Sequence, residues 1–226
     1  MPLALELAEF RATFMTRVPP AIRDAMGRAD MALAASGLID RAAKAGDRAP
    51  DFSLPDARGG TVRLSTLLEK GPVVLSFYRG GWCPYCNLEL KALQTALPAF
   101  ERLGASLVAV SPQTPDESLS TADKNALAYP VLSDAGSAVA RRYGIAFDLA
   151  EELRPIYAQF GHALPDRNGD DAWTLPIPAT YVIDRDGAIA LAFVDVDYRT
   201  RLEPADVIAV LQALAPSATA RTGARQ

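Results

Sequence analysis

Two cysteines stand three positions apart in Gly80-Gly81-Trp82-Cys83-Pro84-Tyr85-Cys86, and they are the only two in the 226-residue chain. The continuous apolar run from Val73 to Tyr78 just ahead of them reads as a buried strand, and the stretch from about Cys86 to Leu103 as a helix. That order puts the sulfurs at a helix start, where backbone N–H groups and the helix dipole favour a thiolate and make it a nucleophile near neutral pH. A second thiol one turn away can close a disulfide onto the first, so the pair can cycle between dithiol and disulfide. Other uses of the pair are poorly served. Zinc takes about four ligands, and beyond the two cysteines the chain offers a single histidine, His162, which reads as a surface or helix-end residue. Packing alone is a poor reading as well, because Gly80-Gly81-Trp82 reads as an open approach. The expectation is redox catalysis by Cys83 and Cys86, with no metal and no bound cofactor.

The neighbours of the pair suggest supporting roles. Arg79 is the nearest cation in sequence; it either lowers a thiol pKa and orients a peroxide, or is a solvated loop arginine. Trp82 reads as a shield and contact surface for the sulfurs, and Tyr85 as a packing residue.

The elements that must hold this site follow from hydrophobic period and punctuation. Leu3, Leu7, Phe10 and Phe14, then Ile22, Met26, Ala29 and Leu33 after Pro19-Pro20, mark two helices that end at Gly37. Residues 1–43 therefore read as a helical N-terminal extension whose role is packing or dimerisation. Beyond Gly46, short strands alternate with helices. A hairpin-like pair, Phe52 to Leu54 and Thr61 to Leu64, precedes the strand at 73–78. After the cysteine helix come a strand at 106–110, a polar helix from Pro115, a short strand at 131–132 and a helix ending at Gly144. Residues 145–177 are the least regular, and their aromatic residues read as a small internal core or subunit contact. Strands 179–184 and 188–194 are joined by Asp184-Arg185-Asp186-Gly187, a turn with Gly where a positive backbone angle is needed. A helix over 204–214 completes an α/β domain spanning 44–214, with a central mixed sheet flanked by helices. The segment 215–226 reads as a disordered tail.

Composition limits the partners. About 50% of the residues are apolar and the net charge is −4, which gives no general attraction to nucleic acid or to an anionic membrane. No apolar run reaches the length of a membrane span, and two cysteines so close together are not the framework of a disulfide-rich secreted scaffold. A cytoplasmic address is expected.

Gly46-Asp47-Arg48-Ala49-Pro50-Asp51-Phe52-Ser53-Leu54, followed by Gly60, Val62, Leu64, Ser65 and Phe77-Tyr78, resembles the alkyl hydroperoxide reductase and thiol-specific antioxidant family, the peroxiredoxin branch of the thioredoxin superfamily. The resemblance implies a thioredoxin-like fold, frequent pairing into homodimers, and reduction of hydrogen peroxide or organic hydroperoxides with electrons from a thiol donor such as thioredoxin or glutathione. In the family's Pro-x-x-x-Thr-x-x-Cys pattern, Arg79 takes the Pro position, Cys83 the Thr position and Cys86 the position of the attacking cysteine. Pro178 stands where the family holds an arginine. Trp82 to Cys86 and Pro178 instead look like the Trp-Cys-x-x-Cys and cis-proline of thioredoxin-like disulfide reductases, which implies a cis bond at Pro178. Those reductases keep a buried acid near the position of Ser76, which supplies none. Two registers remain open: Cys83 attacks from an exposed helix start and Cys86 resolves, or Cys86 attacks peroxide and Cys83 condenses with its sulfenic acid. The alternatives to a peroxidase are a thiol–disulfide oxidoreductase acting on protein or small disulfides, and a redox sensor acting through a partner.

Overall fold

The computed structural model describes residues 1–215; apart from Ala215, the segment 215–226 lies outside them. Two N-terminal helices, α1 (Leu3–Arg17) and α2 (Pro20–Ala34), are separated by Pro19 in extended conformation. α1 has no cap of its own. Its first free N–H groups, at Leu3 and Ala4, donate to the carboxylate of Glu203 at 3.1 and 2.7 Å, an anion where the dipole favours one. A short helix α3 (Leu38–Arg41) leads into the antiparallel pair β1 (Ser53–Pro55) and β2 (Thr61–Arg63), then α4 (Leu64–Leu68).

The core sheet follows. Strand β3 (Val73–Phe77) runs into α5 (Pro84–Arg102), and then come β4 (Ser106–Ser111), α6 (Pro115–Lys124), β5 (Val131–Ser133) and α7 (Ala138–Arg142). The stretch expected to be irregular holds β6 (Ala146–Asp148), α8 (Arg154–Gln159), α9 (Leu164–Asn168) and β7 (Thr174–Pro176), with β6 and β7 paired as a separate two-stranded ladder. Strands β8 (Ala179–Ile183) and β9 (Ile189–Val194) and helix α10 (Pro204–Leu214) close the chain. The five-stranded sheet has the order β5-β4-β3-β8-β9, parallel from β5 to β3 and antiparallel from β3 to β9. This is the mixed sheet of a thioredoxin-like fold.

Because strand side chains alternate between faces, β3 feeds two cores. Val74, with Tyr78 beyond the strand, packs with Leu90, Leu93 and Phe100 of α5, Val207 and Leu211 of α10, and Leu3 and Leu7 of α1. Val73, Leu75 and Phe77 pack on the other face with Tyr143 and Tyr181. A third, smaller core joins Ala25 of α2 to Leu149, Leu153, Tyr157, Leu164 and Leu175, with Trp82 against it. The N-terminal helices thus pack against the cysteine helix and the 146–175 segment.

Candidate active site

The sulfurs lie where β3 hands the chain to α5. Cys83 is the N-cap residue, with φ −84° and ψ 114°. Pro84 occupies the first turn, where its missing N–H costs nothing, and Cys86 follows one turn in. The Cys83 amide donates to the Gly80 carbonyl at 3.0 Å and its carbonyl accepts from the Asn87 amide at 3.1 Å. Both are free thiols, and both are buried, at 1% and 0% exposure. That corrects the expectation of an exposed Cys83 with an open approach. Phe10 of α1 packs edge-on against Tyr85 at 5.0 Å, and Tyr198, beyond β9, packs edge-on against the same ring at 5.7 Å; together they close over the helix start. The two glycines serve this closure. Gly80 has φ +151° and its absent Cβ would stand 2.3 Å from the Trp82 indole nitrogen, while one on Gly81 would stand 2.1 Å from the Thr121 hydroxyl.

Two buried arginines flank the pair from opposite directions. Arg79 is 3% exposed, so it is not a solvated loop arginine. Its guanidinium carbon lies 4.3 Å from the centroid of Tyr198, 5.1 Å from Trp82 and 5.6 Å from Tyr157, an aromatic cage suited to a cation. It donates to the Tyr157 hydroxyl, and its Nε has no hydrogen-bond partner within the protein. Arg201 comes from the chain after β9. Its Nη2 donates to Cys86 Sγ at 3.4 Å and its Nε to Glu89 Oε2 at 2.5 Å, while Glu89 Oε1 accepts from the Thr180 hydroxyl at 3.2 Å.

These groups divide one charge between two sulfurs. Burial works to raise the Cys83 pKa, but a hydrogen bond from the Cys86 thiol and the charges of Arg79 and Arg201 outweigh it, taking Cys83 from 9.0 down to about 6. Burial pushes Cys86 well above its ordinary value, and so do its donation to Cys83 and that neighbour's charge, with Arg201 offsetting only part. The ionised form is therefore a Cys83 thiolate held by a neutral Cys86 thiol. Glu89 is raised by burial to about 6, against the pull of Arg201.

Of the other residues singled out from sequence, Trp82 sits beside Arg79 and stacks on His162, with centroids 5.1 Å apart. Burial lowers the His162 pKa, and this half-buried residue belongs to the outer side of the cage rather than to the sulfurs. Pro178 lines the same cleft as Arg79, but no peptide bond among the described residues is cis, which corrects the expected cis bond. The chain runs extended from β7 through Ile177, whose amide donates to the Ile145 carbonyl at 2.8 Å, straight into β8, so no tight turn is present to favour the cis form. Sequence reasoning missed Arg201, Glu89, Tyr157 and Tyr198. Glu89 carried a signal, because a residue three positions after Cys86 shares its helix face; the other three gave none.

Comparison with known proteins agrees with this arrangement. The model of the AhpC/TSA family matches residues 45–192. A protein named as a peroxiredoxin in Mycobacterium tuberculosis is 37% identical over 113 residues, which cover 50% of this chain and 73% of that protein. The chloroplastic peroxiredoxin Q of Gentiana triflora is 31% identical over 144 residues, 64% of this chain and 56% of that one. The crystal structure of the peroxidoxin BcpB from Mycobacterium tuberculosis superposes with a TM-score of 0.60 at 28% identity, covering 76% of this chain and 99% of its own. The chain belongs to the AhpC/TSA family and is a peroxiredoxin-like, thiol-dependent peroxidase of the thioredoxin superfamily.

Proposed function

We propose that Cys83 is the attacking sulfur and Cys86 the resolving one. The observation that carries this reading is the placement of the thiolate on Cys83, at the helix start and within the fields of Arg79 and Arg201. The Cys83 thiolate attacks the terminal oxygen of a hydroperoxide and the O–O bond breaks. Sulfur is oxidised to a sulfenic acid, and the alkoxide or hydroxide leaves beside Arg79 and takes up a proton. The Cys86 sulfur then attacks the sulfenic sulfur, its thiol proton and the expelled hydroxide together making water, and a disulfide forms. Two thiols of a donor of the thioredoxin or glutathione class reduce that disulfide and become a disulfide themselves. The same reading places the enzyme in a reducing compartment such as the cytoplasm, where both cysteines return to free thiols.

Stopped-flow mixing of the reduced protein with hydrogen peroxide or an organic hydroperoxide, followed through Trp82 fluorescence and mass spectrometry, tests it. One peroxide should be consumed per Cys83–Cys86 disulfide formed, with a rate that climbs through a midpoint of about 6 and levels above it. Oxidation no faster than that of a free thiol at the same pH would move the chain to the disulfide reductases. Replacing Arg79 with Met should shift that midpoint upward by about one unit, roughly tenfold in thiolate population below the midpoint. An unmoved pH profile would remove Arg79 from the electrostatics of the site.

A further inference from the structure

A cleft of about 360 Å³ opens beside Arg79. Met26, Ala29 and Leu33 of α2 form one wall, Phe147 and Leu153 the other, and Ile177 with Pro178 the floor. Its size is that of a small-molecule site. We infer that it holds the carbon skeleton of an uncharged organic hydroperoxide, with the peroxide group at the inner end against Arg79. This inference rests on the peroxidase reading.

The polar groups of the cleft decide the class of ligand. Three charged side chains besides Arg79 line it, and each is engaged elsewhere. Asp30 accepts from Arg199 at 2.6 Å, Asp148 from the Thr174 hydroxyl at 2.6 Å, and Arg41 donates to the Ser36 carbonyl at 3.2 Å. Arg79 is different: it is buried, and its Nε donor is unspent. A ligand that reaches it must present an acceptor at one end and hydrocarbon along the rest. A carboxylate on the hydrocarbon part would lie near Asp30 and Asp148 and be repelled, so the skeleton is neutral. The geometry also fits the chemistry, because the cation that lowers Cys83 is the one facing the cleft, and it can hold the alkoxide as the O–O bond breaks. The α2 wall lies before residue 45, outside the stretch matched by the family model. The cleft is therefore completed by a part of this chain beyond the family domain.

Rate constants for cumene hydroperoxide and for hydrogen peroxide, measured on the wild type and on Ala32→Trp, separate the two readings. Ala32 is exposed and lines the cleft, so a bulky ring there blocks it with little effect on the core; Ala29→Phe is the second variant. Blocking should slow cumene hydroperoxide by about tenfold or more and leave hydrogen peroxide within twofold. Equal effects on both substrates, or none on either, would overturn the cleft. Binding of the product alcohol 2-phenyl-2-propanol, followed by its methyl NMR signals, gives a readout independent of turnover. It should be lost in Ala32→Trp, and 4-isopropylbenzoate should bind more weakly than the alcohol. A protein that no peroxide oxidises would sink the peroxidase reading, and the alcohol titration would still judge the site; equal binding of alcohol and carboxylate, or neither bound, would sink the inference.

Discussion

Cys83→Ser slows oxidation of the protein by peroxide by between about tenfold and a hundredfold near neutral pH, whereas Cys86→Ser retains the first oxidation and halts at a sulfenic acid. The range follows from two opposing effects. A thiol with a pKa of about 6 is about nine-tenths ionised one unit above it, whereas a thiol at its ordinary value or higher is at most a few per cent ionised there. Cys86 is in the second class: burial is the largest cause of its elevation and persists when Cys83 is removed. Ionisation alone would give a difference approaching a hundredfold. The lower intrinsic nucleophilicity of the more acidic thiolate returns part of this. The charge of Arg79 favours Cys83 again, since it acts on that sulfur and faces the cleft.

Serine at position 86 keeps a hydroxyl that can donate to Cys83, so Cys86→Ser should disturb the Cys83 midpoint less than Cys86→Ala, which removes the largest lowering influence on that thiolate. A sulfenic-acid trap and mass spectrometry read the halted intermediate. The reverse pattern, with oxidation kept in Cys83→Ser and lost in Cys86→Ser, would make Cys86 the attacking sulfur, as its position in the family's motif allows.

The sequence made the scaffold of this site readable because local rules govern it. The apolar run at 73–78 became a strand buried on both faces, Pro84 marked the start of α5, and the helix over 204–214 has the bounds that its apolar spacing and Pro204 imply. The surroundings of the sulfurs were harder to read because they are assembled from distant chain. Arg201 lies 115 positions from Cys86 and Tyr157 lies 78 from Arg79, and no periodicity connects such residues. Gly80-Gly81 misled for a related reason. Glycine permits either openness or very close approach, and only the positions of Trp82 and Thr121 decide that here it permits close approach. The acid absent at Ser76 is a further instance. Thr180 pairs with Ser76 across β3 and β8, and its hydroxyl reaches Glu89, so α5 supplies the buried carboxyl that the strand does not.

That carboxyl leads to the second large effect. Arg201 and Glu89 have side chains 1% and 2% exposed, and Arg201 also donates to the Tyr198 and Thr200 carbonyls. Arg201→Met should destabilise the protein by about 3–5 kcal/mol at neutral pH, the usual result of leaving one charge of a buried pair alone. The loss depends on pH, and its sign can be worked out. Glu89 already has a folded-state pKa of about 6 against 4.5, and Arg201 is the charge that keeps it from rising further. Without Arg201 the folded value climbs while the unfolded one stays put. A raised carboxyl favours the fold fully below the unfolded pKa and loses that contribution as pH rises through the folded one. The variant should therefore lie nearest the wild type below pH 4.5 and fall away steadily above it. Urea denaturation across that range measures the trend, and a deficit independent of pH would show that Arg201 acts only through its carbonyl contacts. The double variant Glu89→Met/Arg201→Met removes both charges and should recover most of the stability, since apolar replacements of a buried pair are often neutral. Its Cys86 would still lack the Nη2 donor, so peroxide reactivity and stability should separate: a stable protein in which Cys83 titrates above about 6 because one of its two cations is gone.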